Sequence, residues 1–372
     1  MMCNRLGIVL MVGIWLAGLA APPGRAAEAR TRLAVVGLDH DHVWGLLTMI
    51  AGEPEAELVG ISDPHPELLE KARAKAPLGV KFYSDYVAML DEVKPDGVIV
   101  TTANNRHLEI LRACAKRKIH FDTEKPMAAS GAEAREMERL ARAAGIKLMV
   151  NYGSAWPEAT QEALRRIEAG EIGKIQKIVV EFGHKGPKEI GTSKYFTDWL
   201  YDPVKNGAGA LMDFGCYGAD WAMALKGRPR RVYATSLKLK TEQHNAVEDD
   251  ATVVLEYADA TAILMPSWDW SYGKGQAEIF GSQGSLLVRG DGLLRQAATE
   301  PNRLESPDGT PVETHPAPAE KRNGVAYFLY CLRNDKPIEG MVSPAINVGV
   351  NEIIDAAKES IRTGRAVAMP GQ

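Results

Sequence analysis

The sequence predicts an α/β domain built on a parallel sheet of dinucleotide-binding type, followed by an α+β domain built on a mainly antiparallel sheet. Three observations predict it. Residues 33–36 are an apolar run of strand length, closed by Gly37, and from Val43 onward Trp44, Leu46, Leu47 and Ile50 fall at helical spacing. That is the strand, turn and helix that open a βαβ unit. Strand-like and helix-like segments then alternate as far as Asn151, the pattern of a parallel sheet with helices on both faces. Beyond Asn151 the strands follow one another closely, as antiparallel neighbours do.

A chain of 372 residues, 45% apolar and 25% charged, has material for two hydrophobic cores. A net charge of -4 and the lack of a long basic run argue against nucleic acid as the main partner and leave small molecules. Residues 1–29 read as a signal peptide: Arg5 precedes an apolar stretch over 6–21, and Ala27-Glu28-Ala29 offers a small-x-small cleavage site. A general secretory route to the periplasm or the medium is expected, with no twin arginine and no cysteine placed to take a lipid. Cys114, Cys216 and Cys331 form no C-x-x-C pair and read as buried thiols.

The first domain is expected over residues 30–151. Its opening turn departs from G-x-G-x-x-G: Gly37 is present, but Asp39 and His42 occupy the second and third glycine positions. A carboxylate there opposes a pyrophosphate, and Asp39 is read as a candidate cap for the helix. The second strand, 57–62, ends at Asp63-Pro64. An acid at that place accepts ribose hydroxyls, and a turn-initiating Asp-Pro is the other open reading. His40, His42 and His65, with Asp39 and Asp63, also bring metal-ligand chemistry to adjacent strand ends, suited to zinc or manganese.

The next strand, 97–101, runs into Thr102-Ala103-Asn104-Asn105-Arg106-His107, a loop at the carboxyl end of a parallel strand, where open α/β sheets place ligands. Residues 119–123 lead to Glu124-Lys125-Pro126. A lysine so placed, with its pKa lowered, can exchange a proton with a substrate hydroxyl.

The second domain is expected over residues 152–372, with strands at 174–181, 231–238, 251–257, 261–266, 276–280 and 285–289, a hairpin turn at 281–284, and closing helices at 324–333 and 345–362 that pack at the domain junction. Residues 302–320 are the longest polar connection. Trp199, in an aromatic stretch beside the expected cleft, is open to two readings, a sugar-stacking ring or core packing. His184, leaving the first long strand, is a further candidate for the cleft.

Three motifs in order, Thr102-x-Asn104-x-x-His107, Glu124-Lys125-Pro126 and the Gly-rich segment 207–220, resemble the Gfo/Idh/MocA oxidoreductases across the whole mature chain. The resemblance implies a Rossmann domain and a second domain with a large open antiparallel sheet that supports the active site and often mediates homo-oligomers. It implies a cofactor, NAD or NADP, in contact with Gly37, Asp63, Thr102, Asn104, His107, Glu124 and Lys125. Lys125 corresponds to the lysine that meets nicotinamide and substrate, and Asp213 to a substrate-binding aspartate. Tyr217 stands where many members have a catalytic histidine, as in the glucose-fructose oxidoreductase branch, where tyrosine is acid and base. A half-buried helix residue with no such role remains the other reading of Tyr217. An acidic Asp63 repels a 2′-phosphate and favours NAD.

The expected function is an exported dehydrogenase of a sugar, glycoside or polyol, with a tightly held cofactor because free dinucleotide is scarce outside the cytoplasm. The alternatives are an NAD-independent, metal-assisted lyase, epimerase or hydrolase on the same scaffold, or a non-catalytic sugar-binding module.

Overall fold

The structure is a computed structural model that describes residues 29–242, 246–297 and 309–369. Residues 1–28 of the expected signal peptide and residues 302–308 of the polar connection lie outside the described residues.

Six parallel strands form the first sheet: β1 (Thr31–Val36), β2 (Ala56–Ser62), β3 (Lys81–Tyr83), β4 (Gly97–Val100), β5 (His120–Glu124) and β6 (Leu148–Asn151), in the order β3-β2-β1-β4-β5-β6. The helices between them are α1 (Val43–Gly52), α2 (Pro66–Arg73), α3 (Tyr86–Val93), α4 (His107–Arg117) and α5 (Gly131–Ala144). β1 and β4 are buried almost throughout because helices cover both faces. The strand order reverses between β1 and β4, so the carboxyl ends of these strands border a crevice. Helix starts follow local chemistry. Ser130 accepts from the Glu133 amide at 3.3 Å and donates to its carboxylate at 3.1 Å, and Asp85 accepts from the Val87 amide at 2.8 Å. Sequence reading missed β3 and α3, since a three-residue strand carries no periodicity.

The second part comprises α6 (Glu158–Glu168), β7 (Ile175–Gly183), α7 (Lys194–Leu200), α8 (Ala210–Asp213), α9 (Gly215–Lys226), β8 (Arg231–Leu237), β9 (Asp250–Glu256), β10 (Thr261–Ser267), β11 (Lys274–Gly281), β12 (Gly284–Arg289), β13 (Gly292–Ala297), β14 (Thr310–Pro311), α10 (Gly324–Arg333), α11 (Pro344–Thr363) and β15 (Val367–Ala368). The sheet order is β14-β13-β12-β11-β7-β10-β9-β8-β15. Every neighbour is antiparallel except β7 and β10, whose parallel pairing makes the sheet mixed. α9 and α11 cover one face, and β8 alternates buried and exposed residues accordingly.

α11 ties the two sheets together. Its Asp355 accepts from the Gly131 amide at 2.8 Å, Asn351 donates to the Ala128 carbonyl at 2.6 Å, and Glu352 pairs with Arg135 at 2.6 Å and with Arg228. The junction role expected of both closing helices is what the structure shows for α11, whereas α10 packs on α1 and the core of the first domain.

Glu162 in α6 is buried yet ionised, between Arg165 at 2.5 Å, Arg166 at 2.7 Å and the His315 ring at 3.2 Å. The hydrogen bond from Arg165 first, then those from Arg166 and His315, hold its carboxyl down at about 2 against the desolvation that opposes them. A depressed carboxylate stabilises the fold above its unfolded pKa and loses that contribution as pH falls through the folded value. Glu162→Gln is therefore expected to cost about 1 to 3 kcal/mol at pH 7. In urea titrations the gap from wild type should narrow as pH falls from about 4.5 towards 2.

Candidate functional site

β5 ends at the crevice and delivers Glu124 and Lys125 to it. From the other side comes the Gly-rich connection into α8 and α9, with Asp213 closing α8. Gly209 is needed there, because a Cβ would lie 2.1 Å from the Glu248 carbonyl oxygen. Glu248 holds the segment in place, its carboxylate accepting from the amides of Gly209 at 2.7 Å and Leu211 at 2.9 Å.

Lys125 and Asp213 form a buried pair. Lys125 Nζ donates to Asp213 Oδ1 at 2.6 Å and to the Asp213 carbonyl at 3.0 Å, and Trp268 Nε1 donates to the other carboxylate oxygen at 2.9 Å. Burial works against both charges, but their attraction outweighs it: Lys125 is held above its ordinary value and Asp213 below. This corrects the expectation of a lowered lysine pKa, since the sequence did not reveal that an aspartate 88 positions away lies against the ammonium. Trp268 was also missed. Its only signal was an aromatic directly after β10, at the carboxyl end of a strand.

Tyr217 is half-buried. Its ring stacks on Phe182 at 4.6 Å with an interplanar angle of 2°, meets Tyr152 edge-on at 5.5 Å, and has Lys125 Nζ 5.0 Å from its centroid. Burial raises the phenol and the nearby ammonium only partly offsets that, so Tyr217 is a neutral proton donor at rest. His184 reaches the same place. It meets Phe214 edge-on at 4.8 Å, accepts the Gly186 amide on Nδ1 at 2.9 Å and, chiefly through burial, is held neutral. With Nδ1 accepting, the proton sits on Nε2.

The T-x-N-x-x-H loop divides its roles. Thr102 is buried, and its methyl carbon would be 2.3 Å from any Cβ added at Gly37, whose φ is +91°. Asn104 donates to the Asn206 side chain at 2.8 Å, while its own Oδ1 is buried without a partner. His107 is fully buried between the carbonyls of Met127 at 3.1 Å and Thr102 at 3.2 Å, and burial lowers its pKa. It therefore holds the loop to the Glu124-Lys125-Pro126 segment and offers nothing to the crevice, which corrects its assignment as a cofactor contact.

Four amides of the β1–α1 turn are spent internally. Gly37 N donates to the Ser62 carbonyl, Leu38 N to Asp63 at 2.6 Å, His40 N to the Thr101 carbonyl, and His42 N to His40 Nδ1 at 3.3 Å. Asp63 also accepts from the His65 amide and ring, each at 2.8 Å on the same oxygen, and keeps acceptor capacity on its carboxylate. Asp39 does not cap α1: the cap residue is His42, without a side-chain bond, and Asp39 Oδ1 is buried without a partner. Burial, then the charge of Asp63, pushes Asp39 up to about 7.

α7 lies over this turn. Trp199 packs 5.6 Å from the His40 ring and donates to the Asp39 carbonyl at 3.4 Å, Phe196 lies 4.3 Å from His40, and the Ser193 amide donates to Asp41 at 2.6 Å. Trp199 is only 3% exposed, so core packing describes it and sugar stacking does not. Beside it, a cavity of about 290 Å³ is bordered by Asp39, His65, Arg106, Tyr195 and Trp199.

The histidines sort differently from expectation. His65 is turned to Asp63 and to the Tyr195 ring at 5.0 Å. His40 and His42 instead share Glu124, whose Oε2 is 3.9 Å from His40 Nε2 and 3.1 Å from His42 Nδ1. The cluster is thus His40, His42 and Glu124, with His65 outside it. Parallel pairing brings the end of β5 beside the turn after β1, a contact across 82 positions that local spacing does not show.

Residues 31–152 match the family described as an oxidoreductase family with an NAD-binding Rossmann fold, and residues 160–287 match the GFO/IDH/MocA C-terminal domain. The chain is 25% identical over 355 residues to scyllo-inositol 2-dehydrogenase (NAD(+)) of Bacillus subtilis, covering 92% of this chain and 97% of that enzyme. It is 31% identical over 224 residues to D-xylose 1-dehydrogenase (NADP(+)) 2 of Haloferax volcanii, covering 59% of this chain and 63% of that enzyme. Its fold is that of an aldose-aldose oxidoreductase from Caulobacter crescentus solved with glycerol, with a TM-score of 0.78 at 22% identity over 91% of this chain and 99% of that one. Two family domains in sequence, on the expected pair of sheets, make the chain a member of the Gfo/Idh/MocA family of oxidoreductases.

Proposed function

We propose that the protein is an exported dehydrogenase that transfers hydride between a nicotinamide dinucleotide and a carbinol carbon of a sugar, glycoside or polyol. The buried Lys125–Asp213 pair with its Trp268 donor, set at the carboxyl ends of a Rossmann sheet, carries this reading. The relatives named above act on xylose and an inositol, which supports a polyhydroxylated substrate.

The residues fit such a cofactor at both ends of the crevice. Asp63 closes β2, where a ribose is held, and the unpartnered Oδ1 of Asn104 lies at the end of β4, one strand from Lys125. The β1–α1 turn between them departs from the usual cradle, because the amides of Gly37, Leu38, His40 and His42 are engaged within the protein. When bound, the nicotinamide supplies the hydride acceptor or donor.

The side chains do the rest. The Lys125 ammonium, kept charged by Asp213, polarises the substrate oxygen. Tyr217 exchanges the proton with that oxygen, and the same ammonium stabilises its phenolate. Phe182 and Tyr152 fix the phenol ring, and His184 Nε2 donates to a neighbouring hydroxyl.

The test is the change in absorbance at 340 nm when the purified full chain meets NAD or NADP with aldoses, inositols and glycosides. Turnover with one such class and preference for NAD are expected. Absence of dinucleotide from the denatured protein, with no binding at millimolar NAD(H) or NADP(H), would overturn the reading.

A further inference from the structure

We propose that His40, His42 and Glu124 form a binding site for one divalent transition-metal ion of the zinc class. The three offer ligand atoms that all lie within 4.8 Å of one another. Bonds of about 2.0 Å around a tetrahedral ion separate ligands by about 3.3 Å. His42 and Glu124 already meet that spacing at 3.1 Å, and closing the 3.9 Å between His40 and Glu124 takes only a small ring movement.

Two imidazoles and one carboxylate are a borderline-soft donor set that selects zinc-class ions over magnesium or calcium, which take oxygen. Three protein ligands also leave a coordination position open. The solvent side of the cluster is that of His42, whose side chain is 49% exposed while His40 and Glu124 are buried.

The surroundings support a built site. Glu124 is a carboxylate only 3% exposed, and its side chain meets these two imidazoles. Such an acid is costly to bury without a cation. Phe196 and Trp199 wall the His40 ring on the side of α7, which fixes its orientation and dries it. The adjacent Lys125 adds little repulsion, since Asp213 neutralises it. Metal on His40 Nε2 places that ring's proton on Nδ1, so the 3.3 Å contact from the His42 amide is given up on loading.

The site explains why the turn after β1 carries histidine at the third glycine position. It stands at the start of α1, where this fold brings the pyrophosphate. The inference does not rest on the dehydrogenase reading, and its test needs no turnover.

Untagged full chain, stripped with chelator, is titrated with cobalt(II) followed by visible absorption and with zinc followed by calorimetry and elemental analysis. One ion per chain is expected, with the cobalt spectrum of a nitrogen and oxygen site. His42→Ala removes an exposed ring and so leaves the fold intact, as its melting curve will verify. It and Glu124→Gln should weaken binding by more than about 100-fold, beyond what loss of a merely supporting residue gives. His65→Ala should bind as wild type does. No saturable uptake by wild type, or uptake unchanged in folded His42→Ala, would overturn the proposal and leave His42 and Glu124 a plain hydrogen-bonded contact.

Discussion

Lys125→Met is expected to lower kcat on the order of 1,000-fold, the combined loss of a charged group at the substrate oxygen and of the partner that lets Tyr217 ionise. The same change leaves Asp213 buried with the Trp268 Nε1 bond but without its cation, and breaking a buried pair from one side costs about 3 to 5 kcal/mol. Loss of activity could then reflect loss of fold, and the double variant Lys125→Met/Asp213→Asn separates the two. An amide in place of the carboxylate still accepts from Trp268 and no longer strands a charge, so the melting temperature should recover while kcat stays low. Recovery of kcat with stability would show that Lys125 acts only through the fold. Turnover that persists in the single variant would place the chemistry elsewhere.

Trp268→Phe is expected to act on the pH profile more than on the fold. It keeps most of the buried ring surface but removes the 2.9 Å bond to Asp213 Oδ2. Asp213 is held below its ordinary pKa by Lys125 and by this indole, against its own desolvation. Without the indole its pKa rises, so the ionised form is lost from a higher pH. The acid limb of kcat/KM should therefore move upward, and the stability due to the pair should begin to fail at higher pH on acidification. The fold should weaken by about 1.5 to 3 kcal/mol, as for a hydrogen bond to a charged group. Trp268→Ala leaves a cavity as well and should cost about 3 to 5 kcal/mol. An unchanged acid limb in Trp268→Phe would show that Asp213 ionisation does not govern turnover.

The alternation of apolar runs with helical spacing between Leu33 and Asn151 was enough to specify a parallel sheet, because strands buried on both faces must be apolar throughout. The second sheet was legible from strand-like segments that follow one another closely after Asn151. The parallel contact of β7 with β10 was not, because pairing partners 84 positions apart leave no mark on either strand. At the site, Lys125 and Asp213 stood out by motif, and Gly37 by the turn it must make. Their environment did not, and it reversed the sign of the expected lysine shift.

The β1–α1 turn shows where the boundary falls. Its sequence alone determined that a strand, a turn and a helix follow one another and that Asp39 and His42 replace two glycines. Only the tertiary structure decided what those side chains do: Asp39 has its Oδ1 buried without a partner and does not cap α1, His65 is turned to Asp63, and His42 is joined to Glu124. The physical reason is that backbone preference and hydrophobic period act between residues a few positions apart, whereas charge pairing and ligand geometry act across a few ångströms of space. Those ångströms are set by how β5, α7 and α8 come to lie against the turn and the crevice, which no local pattern encodes.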